Sequence, residues 1–389
     1  MKKLPLWINW KYLIFISVFS VICLEIAGRL YLSVILEKSP RPKFQFDSYR
    51  IYSHVPYFHE GDGKKDWIVI NGQGFRRNTD VAKIKPKNAF RIFLLGGSAA
   101  HGISTAPPYP LVHIYMDQTI DFYLEQKLQS QYTDKHIEVI NAAVTGYQVF
   151  QHTAYILAEL LDYDPDLIIF LDGANDHYFN NPDFDYFGNN KYQFWKPRLQ
   201  NASPAGLIDY FFLWMSHFSG FARGYYAWKL NQDAFSYDAL ANRSIINYSD
   251  PNSLIEGHKV AASRMFLRSI ATNISILQAH GIDVIICLQP MLVLRKTDLL
   301  SNAEKEFMRS DENVTALYPI VTSELSQLAA NNNVSFIDLI PEFNKDQYRQ
   351  QQLLIDYCHL SPLGAQVIAN RLAVAVGGVL AKGSKVPAR

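Results

Sequence analysis

The chain reads as an α/β protein built on a parallel sheet wound with helices on both faces. Three observations predict it. From Phe90 onward, five short apolar runs alternate with helical stretches, the order expected where each strand is followed by a crossover. One run, DLIIFLDG at 166–173, is almost uniformly apolar, so both of its faces should be buried. Four chemically distinctive motifs fall where such runs end, and open α/β sheets place their sites beyond the carboxyl ends of the strands.

The elements follow in order. RIFLLG at 91–96 is the first strand, and apolar spacing over 114–131 predicts a helix. IEVINAA at 137–143 is the second strand, with a helix near 148–163 after it. The third strand is 166–173, then come a helix over about 260–280, a strand at 282–289 and a helix near 317–330. NVSFIDLI at 333–340 supplies the fifth strand, and SPLGAQVIANRLAVAV at 361–376 the last helix. An Asn-, Tyr- and Phe-rich stretch from about 177 to 257 interrupts the alternation. It leaves the end of the third strand, placed to overhang a site there as a cap or to serve as a packing insertion.

Composition narrows the class. With 49% hydrophobic and 19% charged residues the chain should fold. A net charge of +1 gives no electrostatic footprint for nucleic acid. Three cysteines, Cys23, Cys287 and Cys358, cannot make a disulfide framework, although Cys287 and Cys358 could pair or be buried thiols.

The N-terminus carries the clearest targeting signal. Residues 12–36 are apolar except for Glu25, Arg29 and a few serines, with Lys2, Lys3 and Lys11 before them and Trp7 and Trp10 suited to an interface. No small-x-small cleavage site precedes a polar start, and the apolar pattern resumes at Leu30, which favours an uncleaved anchor over a signal peptide. Residues 1–36 are therefore expected to cross the inner (cytoplasmic) membrane once, with the rest facing the periplasm or exterior. Residues 37–88 read as a juxtamembrane linker and a small extended subdomain, and 89–389 as the main domain.

The strand-end motifs together fit acyl transfer. Ser98 follows the first strand in GGSAAHG, Gly146 the second in NAAVTG, Asn175 and Asp176 the third in GAND, and Asp356 and His359 the fifth in DYCHL. A hydroxyl is a poor nucleophile until a base takes its proton, and His359 is the candidate base. Asp356, three residues earlier, can hold the imidazole in the right tautomer. The N–H groups of Ser98 and Gly146 and the Asn175 amide could converge on the developing oxyanion. Asp176 reads as a brace, Ser361 and Pro362 as the cap and first position of the last helix, and Cys358 as packing.

Rival sites fit less well. A relaxed nucleophile elbow of an α/β-hydrolase usually has its acid and histidine on separate loops. GGSAAHG lacks the glycine spacing of a dinucleotide site. The eleven histidines form no metal-ligand cluster, so no metal or organic cofactor is expected.

GGSAAHG, NAAVTG, GAND and DYCHLSPLGA resemble the blocks of the SGNH (GDSL-like) hydrolases, over about residues 91–376. The N-terminal apolar segment and the NxxGFR-like stretch at 71–76 resemble that superfamily's bacterial membrane-anchored branch. The resemblance implies a three-layer flavodoxin-like α/β/α sandwich around a five-stranded sheet. It also implies Ser98 as nucleophile, Asp356 and His359 as its partners, and an oxyanion hole from Ser98, Gly146 and Asn175. Gly97 departs from the pattern, standing where the namesake motif has aspartate. The expected activity is hydrolysis of an O-acyl ester of an envelope glycan or lipid. The competing expectations are an envelope polysaccharide O-acyltransferase using the same triad, and a non-catalytic envelope-assembly protein.

Overall fold

The computed structural model describes residues 10–35, 43–104, 112–178, 211–212, 215, 219–222, 224–225 and 251–382. Residues 43–192 with 250–389 form one compact unit, and residues 1–42 with 193–249 another.

The larger unit begins with two antiparallel hairpins, β1 (Phe44–Asp47) with β2 (Ile51–His54) and β3 (His59–Gly61) with β4 (Asp66–Val69). The main sheet is formed by β5 (Ala89–Gly96), β6 (His136–Asn141), β7 (Leu167–Asp172), β8 (Asp283–Leu288) and β9 (Ser335–Asp338). It is five-stranded and all parallel, in the order β6-β5-β7-β8-β9. The chain reverses its direction of travel across the sheet between β5 and β7, and such a switch point opens a crevice at the strand ends.

The strands bury both faces, as their continuous apolar runs predict. Phe93, Leu95, Ile168, Phe170, Val284 and Ile286 enter one core, whereas Ile92, Leu94, Ile169, Leu171 and Ile285 enter the other. Helices α4 (Val149–Ala158), α6 (Pro251–Ala279) and α7 (Glu312–Asn331) cover the first face. Helices α3 (Ile120–Gln131) and α8 (Pro362–Lys382) cover the second. Part of α8, Pro362–Ala381, is apolar and long enough to cross a membrane, but 44% of its most apolar window is buried, and its apolar face packs into that second core.

Several boundaries differ from expectation. The helix expected over 114–131 begins at Ile120, because Thr119 is extended (φ −98°, ψ 161°) and Met116–Gln118 forms a separate 3₁₀ turn. Helix α6 starts at Pro251, where a missing N–H costs no helical hydrogen bond. Helix α7 gains a first turn because Asp311 caps it, accepting from the Val314 N–H at 3.0 Å. Cys287 and Cys358 are both free thiols and lie in opposite cores, so they do not pair.

In the smaller unit, α1 (Trp10–Ile35) carries exposed apolar side chains including Phe15, Phe19, Ile22 and Ile26. Its Glu25 carboxylate accepts from Arg29 Nε at 2.9 Å, Ser219 Oγ at 2.7 Å and the Gly220 N–H at 2.8 Å. Most of the expected 177–257 insertion, and with it the question of a cap, lies outside the described residues.

Candidate active site

Strand β5 ends at Gly96, and Ser98 opens α2 (Ser98–His101), a single helical turn. The sequence reads the two glycines as the means of a sharp turn; their surroundings add a second reason. A Cβ on Gly96 would stand 2.4 Å from the Leu171 carbonyl oxygen, and one on Gly97 would stand 2.2 Å from Asn175 Nδ2. Both are far inside van der Waals contact. The absence of side chains lets the end of β7 and its exit loop close on the turn that carries Ser98.

His359 arrives from the loop before α8. Its Nε2 lies 2.7 Å from Ser98 Oγ, and its Nδ1 lies 2.5 Å from Asp356 Oδ2. An ionised carboxylate only accepts, so Nδ1 carries the donated hydrogen and Nε2 of the neutral ring is left to accept from the serine. Asp356 Oδ1 in turn accepts from the backbone N–H groups of Cys358 (2.9 Å) and His359 (2.7 Å), so the loop wraps its own carboxylate. Downstream, Ser361 Oγ accepts from the Gly364 N–H at 3.0 Å, the expected cap that fixes this loop on α8.

The electrostatics follow from burial. Asp356 is 2% exposed and His359 8%. Burial pushes the Asp356 carboxyl up, but hydrogen bonds from His359 and the loop N–H groups prevail and hold it below the usual range. Burial likewise works against a charged His359, and the neighbouring Cys358 sulfur and the Asp356 carboxylate outweigh it, leaving the imidazole well above its ordinary value. The Cys358 thiol is pushed up by burial. Asp356, Cys358 and His359 offer donor atoms within 4.8 Å of one another, but the carboxylate and imidazole are committed to each other.

On the other side of Ser98, two loops are tied together. Gly146 has φ +81°, a left-handed conformation that suits glycine. Next to it, the Tyr147 carbonyl accepts from Asn175 Nδ2 at 2.7 Å, and the Asn175 carbonyl accepts from Gln148 Nε2 at 3.2 Å. Asn175 sits on α5 (Ala174–Tyr178), and its amide nitrogen carries a second hydrogen beyond the one given to Tyr147. Asp176 Oδ1 accepts from the Val149 N–H at 3.1 Å, so it does brace the start of α4. Burial, and then the nearby Asp172 carboxylate, raise the Asp176 pKa well above the usual value.

All the sequence-predicted residues thus come to the ends of β5, β6 and β7 and to the loop before α8. Sequence reasoning missed the support behind them. Tyr52, in the N-terminal hairpin, donates its hydroxyl to the Thr145 carbonyl at 3.0 Å, and Tyr147 donates its own back to the Tyr52 carbonyl. Arg76 and Asn141 bind the far end of α2. These contacts link segments 25 to 95 residues apart; Arg76 and Asn141 stand within the motifs at 71–76 and 141–146, but no local pattern announces what they bind.

A serine hydroxyl backed by an imidazole and a buried carboxylate is equipped to attack an acyl carbon. Carried at the end of the first strand of a parallel α/β sheet, that relay defines a serine hydrolase. The chain belongs to the GDSL-like lipase/acylhydrolase family, whose model matches residues 94–367, from within β5 to within α8. It is accordingly an ester-hydrolysing enzyme.

Among solved structures, an acetyl xylan esterase is similar at 14% identity, covering 74% of this chain and 100% of its own, with a TM-score of 0.41. A putative acylhydrolase from Bacteroides fragilis is similar at 11% identity, covering 76% and 90%, with a TM-score of 0.39. An acetylxylan esterase from Geobacillus stearothermophilus, solved as a catalytic mutant, is similar at 12% identity, covering 76% and 97%, with a TM-score of 0.44. No curated protein sequence matches the chain.

Proposed function

We propose that the protein is a membrane-anchored serine esterase that removes O-acyl groups from an envelope glycan or lipid through an acyl-enzyme on Ser98. The observation that carries the reading is the continuous relay from Ser98 Oγ through His359 to Asp356, at 2.7 and 2.5 Å. As Oγ attacks the acyl carbon, His359 Nε2 takes its proton, and Asp356 stabilises the imidazolium that forms. The carbonyl oxygen becomes an oxyanion, held by the Ser98 and Gly146 N–H groups and the second hydrogen of the Asn175 amide. Such donors are worth about 3–4 kcal/mol each. The tetrahedral adduct collapses, the ester C–O bond breaks, and His359 returns its proton to the leaving alkoxide. A water then attacks the acyl-serine with His359 again as base, releasing the carboxylic acid and restoring Ser98.

The test is active-site labelling with a serine-reactive fluorophosphonate. The wild type should label and Ser98→Ala should not; equal labelling of both would remove Ser98 from the reaction. Product analysis with an acyl donor, with and without a glycan acceptor, separates hydrolysis from transfer. Acylated glycan in place of free acid would assign the protein as an O-acyltransferase with the same triad.

A further inference from the structure

The nucleophile turn is too short to hold itself. Helix α2 is a single turn, and the last carbonyls of any helix have no partners within it. Here those carbonyls are bound by two buried side chains from other elements. Asn141 Nδ2, at the end of β6, donates to the Ala100 carbonyl at 3.1 Å. Arg76 Nη1 donates to the carbonyls of both His101 and Gly102. The other arm of the fork, Nη2, donates to the carbonyls of Trp67 and of Ile114, the latter at 3.1 Å.

Arg76 is 1% exposed. Burial pulls its pKa down to about 10, which leaves it charged at neutral pH. Its backbone N–H is anchored on the Asn141 carbonyl at 2.9 Å, so the guanidinium and the amide work from adjoining positions. Gly102 completes the fit: its φ is +80°, and a Cβ there would stand 2.6 Å from Arg76 Nη1.

We propose that Arg76, from the extended subdomain before the sheet, is a positioning residue that fixes Ser98 against His359 by holding the C-terminal end of α2. The inference rests on the serine-hydrolase reading of Ser98. Ser98 and His359 come from separate elements, so any rotation or slide of the one-turn helix changes the distance across which the proton must pass. A planar fork can serve carbonyls on two sides at once, whereas a lysine ammonium is a point charge on a flexible stem and cannot span them.

The experiment uses the full-length chain in detergent, with Arg76→Lys and Arg76→Met. Fluorophosphonate labelling gives two readouts, the fraction of molecules that react and the rate at which they do so. Expected is near-complete labelling in Arg76→Lys with a rate constant roughly ten- to a hundredfold below wild type, as for a nucleophile displaced by about 1 Å. Turnover of a soluble ester should show kcat falling in proportion and KM within about threefold. A merely structural Arg76 gives the opposite split, with a smaller reactive fraction that labels at the wild-type rate. That result overturns the proposal, as does failure of both variants to yield folded protein. An unlabelled wild type would instead remove the nucleophile reading itself.

Discussion

A hydroxyl nucleophile needs a base whose proton affinity is set by its surroundings, and those of His359 pull in both directions. Burial disfavours the imidazolium, while Cys358 and Asp356 favour it and prevail. Catalysis requires the neutral ring, so the rising limb of kcat/KM against pH should lie on the alkaline side of the ordinary histidine value of about 6.5. Replacing Asp356 with asparagine removes a negative charge beside the imidazolium, which lowers the pKa of the ring. The limb of Asp356→Asn should therefore move toward lower pH. Its plateau should fall about 10³–10⁴-fold, because the carboxylate that selects the tautomer is gone. Initial rates across pH 5–10 check both effects, and an unmoved limb in the variant would separate Asp356 from the titration of His359.

Two strand-end turns must interlock for that residue chemistry to work, β5 into α2 and β7 into α5. Their closeness explains Gly97, which stands where the motif that the serine block resembles has aspartate. The Asn175 amide stands 2.2 Å from where a Cβ would be, so the space of that missing side chain is already used. Restoring the motif with Gly97→Asp should not help. The new side chain should drive Asn175 out of its bond to Tyr147, lowering kcat about 10²-fold or more, in line with loss of an oxyanion donor. Steady-state kinetics on a soluble ester check this, and wild-type or faster turnover in Gly97→Asp would overturn it. The alternation of elements was legible because each strand is a continuous apolar run buried on both faces, as in Leu167–Asp172. Ser98, Asn175, Asp356 and His359 were legible because each sits directly after such a run or before a helix. Arg76 was legible only as the end of the 71–76 motif and not by its role, which lies in carbonyls 9 to 38 residues away that only the tertiary fold gathers. The late start of α3 was hidden for a simpler reason: apolar spacing continued through Thr119, and only its extended backbone separates the 3₁₀ turn from the helix.

Across the whole molecule, apolar length alone does not separate a membrane helix from a core helix. Helix α8 meets the length and hydropathy of a span, yet its apolar face lines a core beneath the sheet. Helix α1 differs in what its apolar side chains meet, for Ile14, Phe15, Val18, Phe19, Ile22 and Ile26 are all exposed. Its 26 residues extend about 39 Å at the helical rise, more than the ~30 Å of bilayer hydrocarbon. The charges within it are met locally, Glu25 by Arg29 and by donors from Ser219 and Gly220, an arrangement that the proposed anchor would need of a carboxylate within its span. The full-length protein should therefore stay with the membrane pellet through an alkaline carbonate wash and leave it only with detergent. The mature protein should retain residues 1–36 by N-terminal sequencing, and protease added to the periplasmic side should cut the esterase unit. Release by carbonate, or a mature terminus beyond Leu30, would replace the anchor with a cleaved leader. The esterase would then work free of the membrane, and its substrate would have to come to it in solution.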